Sequence, residues 1–422
     1  MLDLKFIREN TDRVRQGIEA KQSKVDLQRL LDLDRTRREI IRKADALKEE
    51  RNRVSLEIGN LKKKGGDGSS AIQAMQKVAA EIKSLDESLK ETEAEIQVIM
   101  IWIPNIPDPS VPVGPDATCN QVVRTWGSPP VFDFKAKPHW ELGPALKMMD
   151  FERASRLSGS NFVVFTGAGA RLERALIQFM LDLHVRKHGY TEVSVPHLVR
   201  REIMFGTGQL PKMEEDMYHV ELEDLFLVPT AEVPVANLYR EEMFKESDLP
   251  MSLTAYTPCF RREAGSYGAD TRGLMRIHQF DKVEMIKFVR PEDSYRELET
   301  LVAEAEEVLQ ALELPYRVVM LATGDLSFSA AKCYDIEAYA PGIDRWLEVS
   351  SCSNCEDFQA RRMNIRFRRE KGSKPEFVHI LNGSGVALPR TLIALIENYQ
   401  TDEGTVIVPQ ALRSIVGSEI IK

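Results

Sequence analysis

A chain of 422 residues, 43% of them hydrophobic, holds enough apolar material for two or three packed domains and excludes a disordered polypeptide. Its 57 basic and 65 acidic residues leave a formal charge of −8, and a pI near 5.6 excludes a uniformly basic nucleic-acid coat. Five cysteines at irregular positions do not form a disulfide framework and fit a reducing compartment, with the cytoplasm as the expectation.

The opening MLDLKFIRENTDRVRQG is charged from its third residue, and no later apolar run approaches the ~18 residues that span a bilayer, which disfavours secretion and membrane anchoring. All 21 prolines lie at or beyond Pro104, so residues 1–103 are expected to be rich in helix. Apolar residues recur in 3-4 spacing at Leu33, Ile40, Ala44, Leu47, Val54, Ile58 and Leu61, interrupted by Arg37 and Arg51. A second seam runs through Met75, Val78, Ile82, Leu85, Leu89, Ile96 and Ile99, after a break at Gly65, Gly66, Asp67, Gly68, Ser69 and Ser70. The two seams predict an antiparallel helical hairpin over about 27–100, each arm on the order of 50 Å long. The outgoing helix is basic (12 basic, 7 acidic residues over 29–64) and the returning one acidic (3 basic, 7 acidic over 67–95). Two readings follow: helices whose charges pair with each other, or a rod whose basic face lies along a phosphate backbone.

The proline-rich stretch 104–116 reads as a stiff linker. Beyond it, from 117 to 422, the texture becomes short β-like runs and isolated helices: FVVF, a helix over Leu172 to His188, then TEVSVP, LFLVPT, LTAYTPCF and KVEMIKFV. These predict an α+β body on an antiparallel sheet flanked by helices. Several familiar patterns fail on their neighbours. GAGARL puts Leu172 where a dinucleotide fingerprint needs its third glycine. His184 and His188 flank Val185 where a zinc protease needs a glutamate, and Cys352 and Cys355 have no second pair for a zinc site. There is no GxxxxGK[ST] loop, so ATP would have to bind another way.

The stretch from Thr254 to Phe288 reads as a strand, a Gly-rich loop from Gly265 to Gly273 and a returning strand, with Arg261 and Glu263 expected on one face of the first strand. NGSGVALPRTLIALIENYQ places a small-residue segment ahead of an apolar helix, with Arg390 at the helix start where a guanidinium can meet a phosphate. WLEVSSCSNCEDFQARR adds Glu348, Ser350 and Ser351, a carboxylate and hydroxyls for a divalent cation. Arginines for phosphates and oxygens for a cation are the parts of a nucleotidyl-transfer site.

FRRE (Phe260 to Glu263) resembles motif 2 of class II aminoacyl-tRNA synthetases, GVALPRT (Gly385 to Thr391) motif 3, and the helix ending in TEVSVP motif 1. Together with VPTAEVP (Val228 to Pro234), LEVSS and LNGSG, the set resembles bacterial or organellar seryl-tRNA synthetases over essentially the whole chain. The resemblance implies a class II catalytic domain working as a homodimer with motif 1 at the interface. It also implies an N-terminal tRNA-binding domain (1–103) whose hairpin grips the long variable arm of tRNA(Ser), with tRNA(Sec) a further implied substrate, and this favours the phosphate-binding reading of the basic helix. By matching position, Thr230, Ala231, Glu232, Glu284 and Ser384 resemble the L-serine pocket. Arg261, Arg262, Glu263, Arg276, Ile277, Phe280, Glu348, Val349, Ser350, Ser351 and Arg390 resemble the ATP site, with Arg261, Arg390 and Glu348 catalytic and Glu348 and Ser351 the ligands of Mg²⁺. The implied reaction is ligation of serine to tRNA through seryl-adenylate. Valine at 349 and proline at 389 depart from the commoner isoleucine and glycine without removing a functional group. Two other classes would differ in identifiable residues. A catalytically inactive paralogue serving as an RNA-binding scaffold would lack one of Arg261, Glu284, Glu348 or Arg390, and a carrier-protein aminoacylating enzyme would lack the arm.

Overall fold

The computed structural model describes residues 1–65, 67–264 and 272–422. Most of the expected Gly-rich loop, 265–271, and Gly66 of the hairpin turn lie outside the described residues. The chain divides into two compact units, 1–19 with 23–104 and 20–22 with 105–422.

The first unit comprises α1 (Leu4–Glu9), α2 (Thr11–Ala20), α3 (Leu27–Lys63) and α4 (Ser69–Met100). Asp26 caps α3 by accepting the Arg29 amide at 2.8 Å, an interaction worth about 1 kcal/mol. At 1.5 Å per residue the 37 residues of α3 extend about 55 Å. The two seams meet along the hairpin, but burial is densest at its base, where Leu30, Leu33, Ile96 and Met100 are buried, persists at Ala44 and Ile82, and is lost by Leu61 near the tip. A lone helix pair gives each residue a single neighbour to pack against. Part of the charge asymmetry closes on itself: Arg29 pairs with Glu95 (2.6 Å), Arg37 with Glu93 (2.9 Å) and Lys48 with Asp86 (3.0 Å). At the base, the buried Asp34 accepts from Arg8 (3.0 Å) and Arg38 (3.1 Å), tying α1 to α3.

The second unit is built on an eight-stranded sheet whose strands in chain order are β1 (Gln121–Trp126), β2 (Thr191–Glu192), β3 (Met251–Phe260), β4 (Gln279–Val289), β5 (Tyr316–Met320), β6 (Lys332–Ala340), β7 (Arg345–Asn354) and β8 (His379–Ala387). They lie in the order β1-β5-β6-β7-β8-β4-β3-β2. Every pair is antiparallel except the two-residue edge strand β2 on β3, which is parallel. Helices α5 (Ala168–Arg186), α6 (Glu232–Ala236), α7 (Ser294–Ala311), α8 (Phe358–Met363) and α9 (Leu388–Asn398) pack against it. β4 shows how the pleat serves two cores: Val283 and Met285 join one cluster with α5, α7 and α9, while Ile286 and Phe288 join another with α6 and α8. The strand is therefore buried on both faces, its apolar run broken only by the buried Glu284 and Lys287.

The proline-rich stretch is more than a spacer. Prolines keep it out of the sheet, yet several of its amides and carbonyls bond to the rest of the second unit: Asn105 N to Phe328 O, Asp108 N to Ala331 O, and Thr323 N to Pro112 O.

Candidate active site

A cavity of about 330 Å³ opens at one end of β4, β7 and β8, lined by residues that the sequence spreads over 180 positions. On β4, Phe280, Lys282 and Glu284 stand two apart, alternating with Asp281 and Val283, and so all face the cavity. On β7 the pairing shifts by one residue, with Ser350 opposite Ile336 but Glu348 opposite Glu337. The extra residue, Val349, is a bulge that turns Glu348 and Ser351 to the same side, which strict alternation would not do. Ser350 is left buried, its hydroxyl donating to the Ser384 carbonyl at 2.6 Å. On β8, Asn382 and Ser384 sit two apart and share the cavity face.

The expectation that Arg261 and Glu263 share a strand face is corrected. β3 ends at Phe260, and the chain is then held by Arg261 N to His278 O and Arg262 N to Asp216 O, both 2.9 Å. Glu263 lies at φ +51°, and its carboxylate meets Arg276 across the loop at 2.7 Å rather than Arg261. The Arg261 guanidinium donates to Pro229 O (3.2 Å) and lies 5.3 Å from the centre of the Phe280 ring.

The inner end of the cavity is acidic and buried. Glu284 accepts from the Thr230 hydroxyl at 3.0 Å and from the Lys282 ammonium at 2.5 Å. Glu232 accepts from Gln359 at 2.7 Å and Asn382 at 3.4 Å. Burial, then the neighbouring Glu284, pushes the Glu232 carboxyl up to about 7, against the opposing pull of Gln359, Lys282 and Arg261. The outer end carries Glu348, whose carboxylate pairs with Arg390 at 3.0 Å. Behind Ser351, the partly buried Asp335 is held well above the usual carboxylate range by desolvation and by Glu348.

Thirteen of the sixteen residues expected at the site line this cavity: Thr230, Glu232, Glu284 and Ser384 at the inner end, and Arg261, Glu263, Arg276, Ile277, Phe280, Glu348, Val349, Ser351 and Arg390 around the remainder. Ala231, Arg262 and Ser350 do not: Ala231 is buried in the α6 core, Arg262 is exposed, and Ser350 faces away. Sequence reasoning missed Lys282 and Asn382. Lys282 was within reach, since it stands two residues from both Phe280 and Glu284 on a predicted strand.

The family profile described as tRNA synthetase class II core domain (G, H, P, S and T) matches residues 216–399, which contain most of this sheet and the cavity. The sheet and its site are thus those of a class II aminoacyl-tRNA synthetase. A second profile, the seryl-tRNA synthetase N-terminal domain, matches residues 1–107. The serine–tRNA ligases of Caldanaerobacter subterraneus subsp. tengcongensis and Geobacter sulfurreducens are 57% and 54% identical, covering 100% and 99% of this chain and 99% of their own lengths. The crystal structure of seryl-tRNA synthetase from Pyrococcus horikoshii complexed with ATP superposes with a TM-score of 0.95 at 38% identity, over 100% of this chain and 99% of that one. The chain belongs to the seryl-tRNA synthetase family. The alternative of an inactive paralogue finds no support.

Proposed function

We propose that the protein ligates L-serine to tRNA(Ser): serine and ATP form seryl-adenylate and pyrophosphate, and a terminal hydroxyl of the tRNA then takes the seryl group. The observation that carries this reading is a small buried polar pocket, Glu284 with Thr230 and Ser384, opening into the same cavity as Arg261, Arg276 and Arg390. Serine's hydroxyl and ammonium both complement Glu284. Alanine would leave buried polar groups unpaired, and threonine exceeds the space.

The serine carboxylate is ionised at neutral pH, so its in-line attack on the α-phosphorus needs no protein base, only positioning and charge neutralisation. Arg261 holds the α-phosphate and the serine carboxylate together, Phe280 stacks the adenine, Glu263 and the Ile277 and Val349 backbone hold the nucleotide, and Arg276 and Arg390 clamp the γ-phosphate. The donor set at Glu348 and Ser351, one carboxylate and one hydroxyl beside the phosphate arginines, fits Mg²⁺, which keeps waters and takes phosphate oxygens as its other ligands. Bound there, the ion supplies charge neutralisation between phosphates.

In this reading residues 1–103 form the tRNA-binding domain and 117–422 the catalytic domain. Arg42, Lys43, Arg53 and Lys62 to Lys64 are exposed and form no ion pair among the described residues, which supports a basic face for the phosphates of a tRNA variable arm. We extend the proposal to a homodimer joined through α5 and β2, to tRNA(Sec) as a second substrate, and to the cytoplasm. Among the described residues no helix is long and apolar enough to cross a membrane. The test is ATP–pyrophosphate exchange with each amino acid in turn, including alanine, threonine and cysteine: exchange with serine alone is expected, and no exchange with any amino acid would overturn the reading.

A further inference from the structure

His184, in the last turn of α5, is fully buried, and its Nε2 makes no well-formed hydrogen bond, only a contact with the Gly385 backbone beside it. Its other nitrogen is fixed by a chain of contacts. His188 Nε2 lies 2.8 Å from the Glu307 carboxylate, which also pairs with Lys187. A carboxylate only accepts, so His188 carries its proton on Nε2 and presents a bare Nδ1, 3.0 Å from His184 Nδ1. Burial pushes both imidazoles down, His184 to about 3 and His188 to about 4, so both are neutral.

That ring edge is aimed at the serine pocket's own strand. A Cβ added to Gly385 would lie 2.5 Å from His184 Nε2 and 3.1 Å from its Cδ2. Gly385 follows Ser384 and opens a bulge. Glu284 faces Ser384 and Lys282 faces Ala387, so Val283 alone opposes both Gly385 and Val386, and Val386 is held at φ +135°. A poorly satisfied buried nitrogen and a strained valine, one on each side of one close contact, both oppose stability, and such features concentrate where geometry serves function.

We propose that His184 is a positioning residue for serine recognition: its ring, clamped from behind by His188 and Glu307, is the wall on which the Gly385 bulge rests, and it thereby holds Ser384 opposite Glu284. The inference depends on the serine-pocket reading above. Its test is the serine KM and kcat of four full-length variants in ATP–pyrophosphate exchange, with thermal melting alongside. Gly385→Ala drives a methyl into the ring and is expected to raise serine KM on the order of tenfold or more. His184→Ala removes the wall and is expected to raise it several-fold, and so is His188→Ala, which frees the ring from a site remote from substrate. The His184→Ala/Gly385→Ala double variant is expected to resemble His184→Ala alone, because the methyl enters vacated space. A purely structural role would lower the melting temperature and leave serine KM in place. Unmoved serine KM in His184→Ala and His188→Ala, or effects that multiply in the double variant, would overturn the proposal; if Gly385→Ala does not fold, the first criterion decides alone. Should Glu284→Ala retain serine-dependent exchange, the pocket reading itself fails; should it abolish exchange while these variants keep their KM, only the present inference fails.

Discussion

Replacing Glu284 by alanine removes a carboxylate that is almost fully buried and engaged at 3.0 Å by Thr230 and 2.5 Å by Lys282. Two losses separate cleanly. On the substrate side, serine forfeits the charge-assisted bonds of its ammonium and hydroxyl to one carboxylate, at ~1.5–3 kcal/mol each, or about 4 kcal/mol together. At 1.4 kcal/mol per decade this is roughly a thousandfold in kcat/KM for serine. On the protein side, Lys282 is left as a buried unpaired ammonium, a destabilisation of about 3–5 kcal/mol that lowers the melting temperature. Adding Lys282→Met removes that stranded charge and is expected to restore most of the melting temperature without restoring serine activation. Pyrophosphate exchange at saturating ATP reads the first loss and thermal denaturation the second. A folded Glu284→Ala protein whose kcat/KM for serine stays within tenfold of wild type would refute the reasoning.

Glu232 links the pocket to pH. Its carboxyl titrates near 7 when folded against an ordinary value of 4.5, so the folded state binds the extra proton and this group's contribution to stability declines as pH rises between the two values. The groups facing it are Glu284, Lys282, Arg261, Gln359 and Asn382; the serine ammonium adds a positive charge that favours the ionised form. Serine binding is expected to release protons near pH 7, seen by calorimetry in buffers of different ionisation enthalpy, and serine KM to rise as pH falls below 7. Glu232→Gln is expected to abolish both effects, and a pH-independent wild-type KM would contradict the assignment. Arg390→Ala is expected to raise ATP KM by tenfold or more, about the worth of one charged contact, with serine KM changed far less. Excising residues 45–87, which leaves the Asp34 cluster at the arm's base, is expected to spare pyrophosphate exchange and to remove tRNA charging; charging that survives would refute the arm's role.

The hairpin was legible because a 3-4 apolar spacing is local, and the body strands because pleated alternation is local too. What sequence reading could not reach were contacts made by departures from regularity. The Val349 bulge puts Glu348 and Ser351 on one face and sends Ser350 to the other, and no residue in EVSS announces it. The Arg261 and Glu263 expectation assumed a strand that continues; it ends at Phe260, and Glu263 finds Arg276 instead. Gln359 reaches Glu232 from α8, 127 positions away, a pairing that only the packed fold creates.

Among the described residues, three of the four cations in the cavity have a carboxylate partner: Arg276 has Glu263, Lys282 has Glu284 and Arg390 has Glu348. Such a site acts as a filter against the anions that crowd a cell. At these three a lone orthophosphate or chloride meets charge that is already neutralised, and it must part a pair to gain a contact. In the proposed reading a triphosphate engages several of these groups at once, at a spacing set by the segment before β4 and the start of α9, so chain length and geometry, rather than negative charge alone, decide what enters.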